Sequence, residues 1–372
     1  MGKSASSSSV GELLDRIGER VPWGKAAGWD PVGLQIGDPR APVARIALCH
    51  EVGEAVVAAV TEERPDLLIS YHPLLFRPTR TLVAGASSEG RALRLARAGI
   101  ALAVVHTSYD VVRGGAADAL AEALDLVGTQ GFGPLRGGES SKLVTFVPEA
   151  AADRVLDALT NAGAGRIGAY THCSFRSEGI GTFFAGAGTD PALGRKGELN
   201  REPELRLELT VPGEVRDRVV AALLEAHPYE EPAYDVYERW GDAGLVGRVG
   251  VLEAPLSLAE LAQCVRKTLG DSPLRVAGDP GRPVSRVAVA PGSGQELLPE
   301  AHGSGADVFV SGDLAHHAVR EALDRGLAVI DAGHVPTERP GLERLFGLLA
   351  SLDLECRSYL ELDPHPFWAP LG

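Results

Sequence analysis

PVARIALCHEVGEAVVAAVTEERPDLLISYHP, residues 42–73, and PVSRVAVAPGSGQELLPEAHGSGADVFVSGDL, residues 283–314, share one layout. Each runs β-branched strand, helical or loop crossover, then a short apolar strand opened by an aspartate, and the interval from Pro42 to Asp66 equals that from Pro283 to Asp307, 24 positions. Two such units in register are the mark of a duplicated α/β core. A third strand follows in both halves, GIALAVVHTSYD from Gly99 and GLAVIDAGHVPTE from Gly326, each ending in a histidine with a carboxylate four residues on: His106 with Asp110, His334 with Glu338. Short continuous apolar runs alternating with helix-length segments predict mostly parallel strands buried on both faces. In such sheets ligands collect at the carboxyl ends of the strands, where these side chains and Tyr71-His72 stand.

Between the halves the pattern changes. Ala151 to Ala162 has helical period, while Leu205, Leu207, Leu209 and Val211 alternate with Glu204, Arg206, Glu208 and Thr210 as a half-buried strand does. A small α+β domain over 139–245 is therefore expected to interrupt the core, whose halves span 10–138 and 246–372, after a frayed Ser-rich tail over 1–9. The HPYEE stretch from His227 to Glu231 reads as a rigid turn between two prolines.

A chain of 372 residues, 45% hydrophobic and 23% charged, has the apolar mass for a proper core and exceeds one common domain. Thirty-six basic against fifty acidic residues give a net charge of -14, which argues against nucleic acid and acidic membranes as partners. Cys49, Cys173, Cys264 and Cys356 lie more than eighty residues apart, without CxxC spacing, which fits a reducing cytoplasm. No run approaches the roughly 18 apolar residues of a membrane span. Neither a phosphate-binding loop nor a G-x-S-x-G nucleophile elbow is present.

His72, Asp110, His334 and Glu338 are the candidate metal ligands, because imidazole nitrogen and carboxylate oxygen together suit Zn, Mn, Fe or Co. Two histidines and two carboxylates serve two divalent ions if one carboxylate bridges, and such a pair can polarise a substrate oxygen and activate water. Asp313 and His317 follow the equivalent strand end and are candidates for supporting contacts, although AHHAVREALDRG also reads as the opening of an amphipathic helix. His50 and His302 have no carboxylate at ligand spacing and are expected in loops or solvent.

GWDPVGLQIG (28–37), LLISYHPLLF (67–76), VVHTSYDVVRGGAADALAEAL (104–124), HPYEEPAYDVY (227–237), SGDLAHH (311–317) and IDAGHVPTERPGL (330–342) occur in this order. Together they resemble the NGG-interacting-factor-three-like family, also labelled GTP cyclohydrolase 1 type 2 homologues or dinuclear metal centre hexameric proteins. The resemblance runs from about Leu13 to Phe367. It implies a ferredoxin-like insert, a toroidal homohexamer built as a trimer of dimers, and a two-metal site held by His72, Asp110, His334 and a bridging Glu338. Many bacterial members have His-His-Pro where this chain has Tyr71-His72-Pro73; Pro31 stands where Asn is usual, and His50-Glu51 where Asp is usual. A neutral phenol is a poor ligand, so Tyr71 predicts unequal metal sites or, alternatively, a hydrogen bond from the phenol to a ligand carboxylate. The reading that follows is a metal-dependent hydrolase acting on a small, nucleotide-like or phosphoester substrate, with His106 as acid/base group. The competing reading is a non-enzymatic metal-binding or regulatory hexamer whose insert senses a ligand or partner.

Overall fold

A computed structural model describes residues 8–135, 140–167, 170–239, 244–270 and 273–362. Contacts divide the chain into two units, residues 1–135 with 243–372 and residues 136–242.

The first unit holds the duplicated halves. In the first sheet the strands Ala101–Val104, Leu67–Ser70, Arg45–Cys49 and Glu355–Ser358 lie side by side and parallel, with Gly33–Ile36 antiparallel at the edge beside Ala101–Val104. The second sheet repeats the centre: Ala328–Asp331, Val308–Gly312 and Pro283–Ser293 are parallel, and Arg275–Ala277 is the antiparallel edge beside Ala328–Asp331. Two further antiparallel strands, Leu245–Ser257 and Val127–Pro134, extend it, so half of the second sheet departs from the parallel pattern. Their glycine-rich sequences carry no long apolar run to announce them.

The shared spacing has a physical cause. The Asp66 carboxylate accepts from the backbone N–H groups of Ala44 and Arg45, both at 2.8 Å, and Asp307 does the same for Ser285 and Arg286, both at 2.8 Å. Each aspartate thus ties the start of one strand to the start of its neighbour, satisfying donors at the sheet end. At the opposite end Ser70 Oγ donates to the His50 carbonyl and Ser311 Oγ to that of Gly292, both at 3.3 Å.

The strand Leu67–Ser70 is buried at every position, as are Ala101–Val104 and Ala328–Asp331. The helices Glu54–Glu63 and Ser88–Ala98 cover one face of the first sheet with Val56, Val57, Val60 and Leu95. On the other face Leu13 and Ile17 of the helix Val10–Gly18 pack with Leu342, Leu345 and Leu349 of the helix His334–Ala350. Residues 1–7 of the expected tail lie outside the described residues. Ser9 belongs to the fold: its Oγ accepts from Glu12 N and its N–H donates to the Glu12 carboxylate at 2.8 Å, closing a capping box.

The helix His334–Ala350 meets the helix Ala116–Ala123 through Gly341, where an added Cβ would stand 2.7 Å from that of Ala116. This close approach fixes the long helix whose first two turns carry His334 and Glu338.

The second unit runs strand, helix, strand, strand, helix, strand. Its antiparallel sheet has the order Ser174–Phe184, Leu199–Pro212, Ser140–Val147, Tyr234–Arg239, and the helices Glu149–Asn161 and Arg216–Ala226 share one apolar core with Leu207, Leu209 and Val211. This is the ferredoxin-like order. His227 sits in the turn after the second helix, its Nε2 3.0 Å from the Phe146 carbonyl, and its Nδ1 accepts from Tyr229 N at 3.1 Å. Among the described residues no helix is long and apolar enough to cross a membrane, and none of the four cysteines is in a disulfide.

Candidate metal centre

Glu338 lies one turn into the helix His334–Ala350, four residues after His334, and is 4% exposed. A carboxylate removed from water in this way needs partners. Three imidazoles supply them: His50 Nε2 at 2.6 Å and His72 Nε2 at 3.2 Å from Oε2, and His334 Nε2 at 3.1 Å from Oε1. Burial works to raise the Glu338 carboxyl, but the hydrogen bonds from His334, His50 and His72 outweigh it and hold the group well below the usual carboxylate range. One ligand atom each from His50, His72 and Glu338 lies within 4.8 Å of the others, a group able to hold a metal ion.

The parts come from the carboxyl ends of both sheets. His50 follows Arg45–Cys49, His72 follows Leu67–Ser70, and His334 with Glu338 follows Ala328–Asp331. Gly292 makes room for them: at φ 65° its Cβ would fall 2.5 Å from Glu338 Oε1, so the close approach of that turn to the carboxylate requires glycine. Asp313, itself at φ 55°, places Oδ2 2.7 Å from His334 Nδ1 and so turns His334 Nε2 toward Glu338. The His334 imidazole, against the effect of burial, is raised to about 9 by Glu338 and Asp313.

Asp110 ends the short helix His106–Asp110, which follows Ala101–Val104 of the first sheet, and it is not in the group formed by His50, His72 and Glu338. The fully buried Tyr71 phenol donates to Asp110 Oδ1, so the phenol makes the hydrogen bond that was one of its two expected roles. Burial, with the charges of Asp110 and Glu338, raises Tyr71 well above the ordinary range, keeping it a protonated donor. Desolvation pushes the Asp110 carboxyl up to about 7, against the pull of His106 and the Tyr71 bond. His106 opens the same short helix, its ring centroid 5.0 Å from that of His72 and 5.9 Å from that of Tyr71. Its Nδ1 is 2.9 Å from Asp30 Oδ1, whose other oxygen accepts from Thr107 N at 3.1 Å. Burial lowers the His106 imidazole but Asp30 more than reverses it, leaving a net rise.

His106 has φ 27°, in a region that disfavours side chains, while the matching registers of the two sheets make Gly333, φ 85°, its equivalent in the second half. A histidine held where the duplicate uses glycine is stored strain, which concentrates at functional positions.

His50 lies in the bend after its strand, as one of its two expected placements had it, but it is neither in solvent nor without a carboxylate: it is 3% exposed and bonded to Glu338. Its carboxylate lies 288 positions away, beyond anything spacing within one segment reveals. Asp30 went unassigned for the same reason. His317 is exposed on the first turn of the helix His316–Asp324, with its ring 5.4 Å from that of His316, and it is not in the group formed by His50, His72 and Glu338.

These features define a duplicated α/β protein with a candidate metal centre at its strand ends. The family model described as Duf34/NIF3 (NGG1p interacting factor 3) matches residues 8–363. A Bacillus subtilis (strain 168) protein named GTP cyclohydrolase 1 type 2 homolog is 37% identical over 337 residues, covering 90% of this chain and 89% of that one. A Mycobacterium tuberculosis protein of the same name is 36% identical over 338 residues, covering 89% and 88%. The solved Bacillus cereus protein related to NIF3 superposes with a TM-score of 0.63 at 33% identity, over 98% of this chain and 100% of that one. The chain belongs to the Duf34/NIF3 family.

Proposed function

We propose that the cluster binds two divalent transition-metal ions, of Zn, Mn, Fe or Co, and that the protein is a metal-dependent hydrolase acting on a small nucleotide-like or phosphoester substrate. The observation that carries the reading is the Glu338 carboxylate, buried with three imidazoles aimed at it and with a glycine keeping its approach clear. His50, His72, His334, Glu338 and Asp110 would hold the ions. His50 then supplies the nitrogen that Tyr71 does not, from the neighbouring strand. This nitrogen and oxygen donor set fits borderline divalent ions. Such ions supply Lewis acidity toward a substrate oxygen or water.

The chain's own groups do the rest. Asp313 and Tyr71 orient His334 and Asp110, and Asp30 fixes one ring nitrogen of His106 so that the other is free to give or take a proton at the substrate. The relatives' name, GTP cyclohydrolase 1 type 2 homolog, agrees with a nucleotide-like substrate. Turnover of a panel of nucleotides and phosphoesters by metal-loaded protein tests the reading. Activity in the wild type that is lost in Glu338→Gln supports it, and a fully metallated, inert wild type contradicts it.

One observation favours the regulatory reading: the insert has a cavity of about 650 Å³ lined by Phe146, Ile180, Phe183, Tyr229 and Glu204, room for a sensed ligand. A homohexamer belongs to both readings, and sedimentation of the full chain measures it.

A further inference from the structure

Trp29 and Phe76 are 61% and 50% exposed although they touch each other, with ring centroids 5.7 Å apart at 53°. Aromatics make up only 5% of this chain, and leaving two large rings side by side in water forgoes the burial that usually stabilises them. Their position gives the exposure a purpose. Trp29 lies 6.2 Å, edge-on, from His106, and His106 lies 5.0 Å from His72, so the rings run without a break from an open rim to the Glu338 carboxylate.

The rim is also held in place. Gln35 Nε2 donates to the Leu75 carbonyl and Leu75 N donates to Gln35 Oε1, both at 3.1 Å, which ties the segment carrying Trp29 to the one carrying Phe76. Asp30, next to Trp29, bonds to His106 and Thr107 and has its own N–H on the Ala27 carbonyl at 2.9 Å. Two exposed rings on mutually fixed segments form a surface prepared before the ligand arrives.

We propose that Trp29 and Phe76 form a platform for the planar heteroaromatic ring of the substrate, Trp29 providing the stacking face and Phe76, tilted 53° to it, flanking that face, with His106 at the ring's edge and the reacting group directed to the cluster. The platform deepens the hydrolase reading and rests on it. An aromatic face accepts any nitrogen heterocycle of nucleobase size and does not hold a bare sugar or an acyclic phosphoester.

The experiment titrates guanosine, with ribose as control, into the full metal-loaded chain, following tryptophan fluorescence and calorimetry in the wild type, Trp29→Leu and Phe76→Leu. Metal content and sedimentation are measured alongside. Guanosine should bind and quench the wild type while ribose does neither. Trp29→Leu should remove the quench and weaken binding roughly tenfold or more, the scale of one base–aromatic stack. Phe76→Leu should weaken it less, and metal content should stay at the wild-type value in both. Equal guanosine affinity in wild type and both variants overturns the platform, as does a wild type that binds no nucleoside. A change in sedimentation without loss of guanosine binding also overturns it and assigns the rings to a contact between copies. Metal content and phosphoester turnover report on the hydrolase reading separately, so nucleoside binding by a chain that takes up no metal would sink that reading, and with it the substrate role of the rings, while leaving them a surface that binds heterocycles.

Discussion

At Glu338 the chemistry depends on one side chain that its own neighbourhood in sequence does not explain. The His334–Glu338 pair is legible because both residues share one helical face four positions apart. His50 is not, because its partner is reached only after both sheets have folded. His50→Ala should lower the metal bound per chain and, by leaving Glu338 short of a donor, cost about 1–3 kcal/mol of stability in the metal-free protein. Elemental analysis and denaturant melts measure the two effects, and unchanged metal content would remove His50 from the ligand set.

The titrations at this site have a definite sign. His334 is raised from its ordinary 6.5 to about 9, so its protonated form contributes stability that is fully present below 6.5 and is lost as pH rises through about 9. Asp110, raised to about 7, acts in the same direction up to that pH, while the lowered Glu338 has already given its contribution. Metal-free protein should therefore melt at progressively lower temperature from pH 6.5 to 9. Melts that stay level or climb across that window would contradict the assignment.

At the scale of elements, the repeat was readable because Asp66 and Asp307 each bind a pair of N–H groups at a fixed distance from the strand start. That geometry demands one residue type at one spacing and leaves it visible in the sequence. The strands Leu245–Ser257 and Val127–Pro134 carry no such demand, since pairing beside an existing sheet is set by the fold. Gly292 is the turn on which the centre depends. Gly292→Ala forces a side chain to φ 65° and pushes a Cβ onto Glu338, so it should destabilise the chain by about 1–3 kcal/mol and reduce metal uptake together. The pairing of the two losses is the check. Gly341→Val, which crowds Ala116 away from the cluster, should lower the melting temperature while retaining metal in whatever fraction stays folded.

Across the whole molecule, the insert leaves after Pro134 and returns at Leu245, and these two residues are partners in adjacent antiparallel strands. Leu135 N donates to the Gly244 carbonyl at 2.7 Å, so the two chain ends at the insertion point already stand as a hairpin. Replacing residues 136–243 by a short turn should leave a folded core that binds metal as the full chain does. A soluble deletion variant without metal would show that ligands come from the insert. The insert itself was legible from alternation in Leu205 to Val211 and helical period from Ala151, both local signals. What joins the halves at the centre is long-range, and three-dimensional placement was needed to find it.

The central claim is that this cluster is a metal centre. Elemental analysis of the full chain, purified without chelators and then offered Zn, Mn, Fe and Co, tests it most directly, with Glu338→Gln as the paired variant. The account predicts one to two ions per chain in the wild type and a clear loss in the variant. A wild type that carries none and takes up none of the four metals would contradict it.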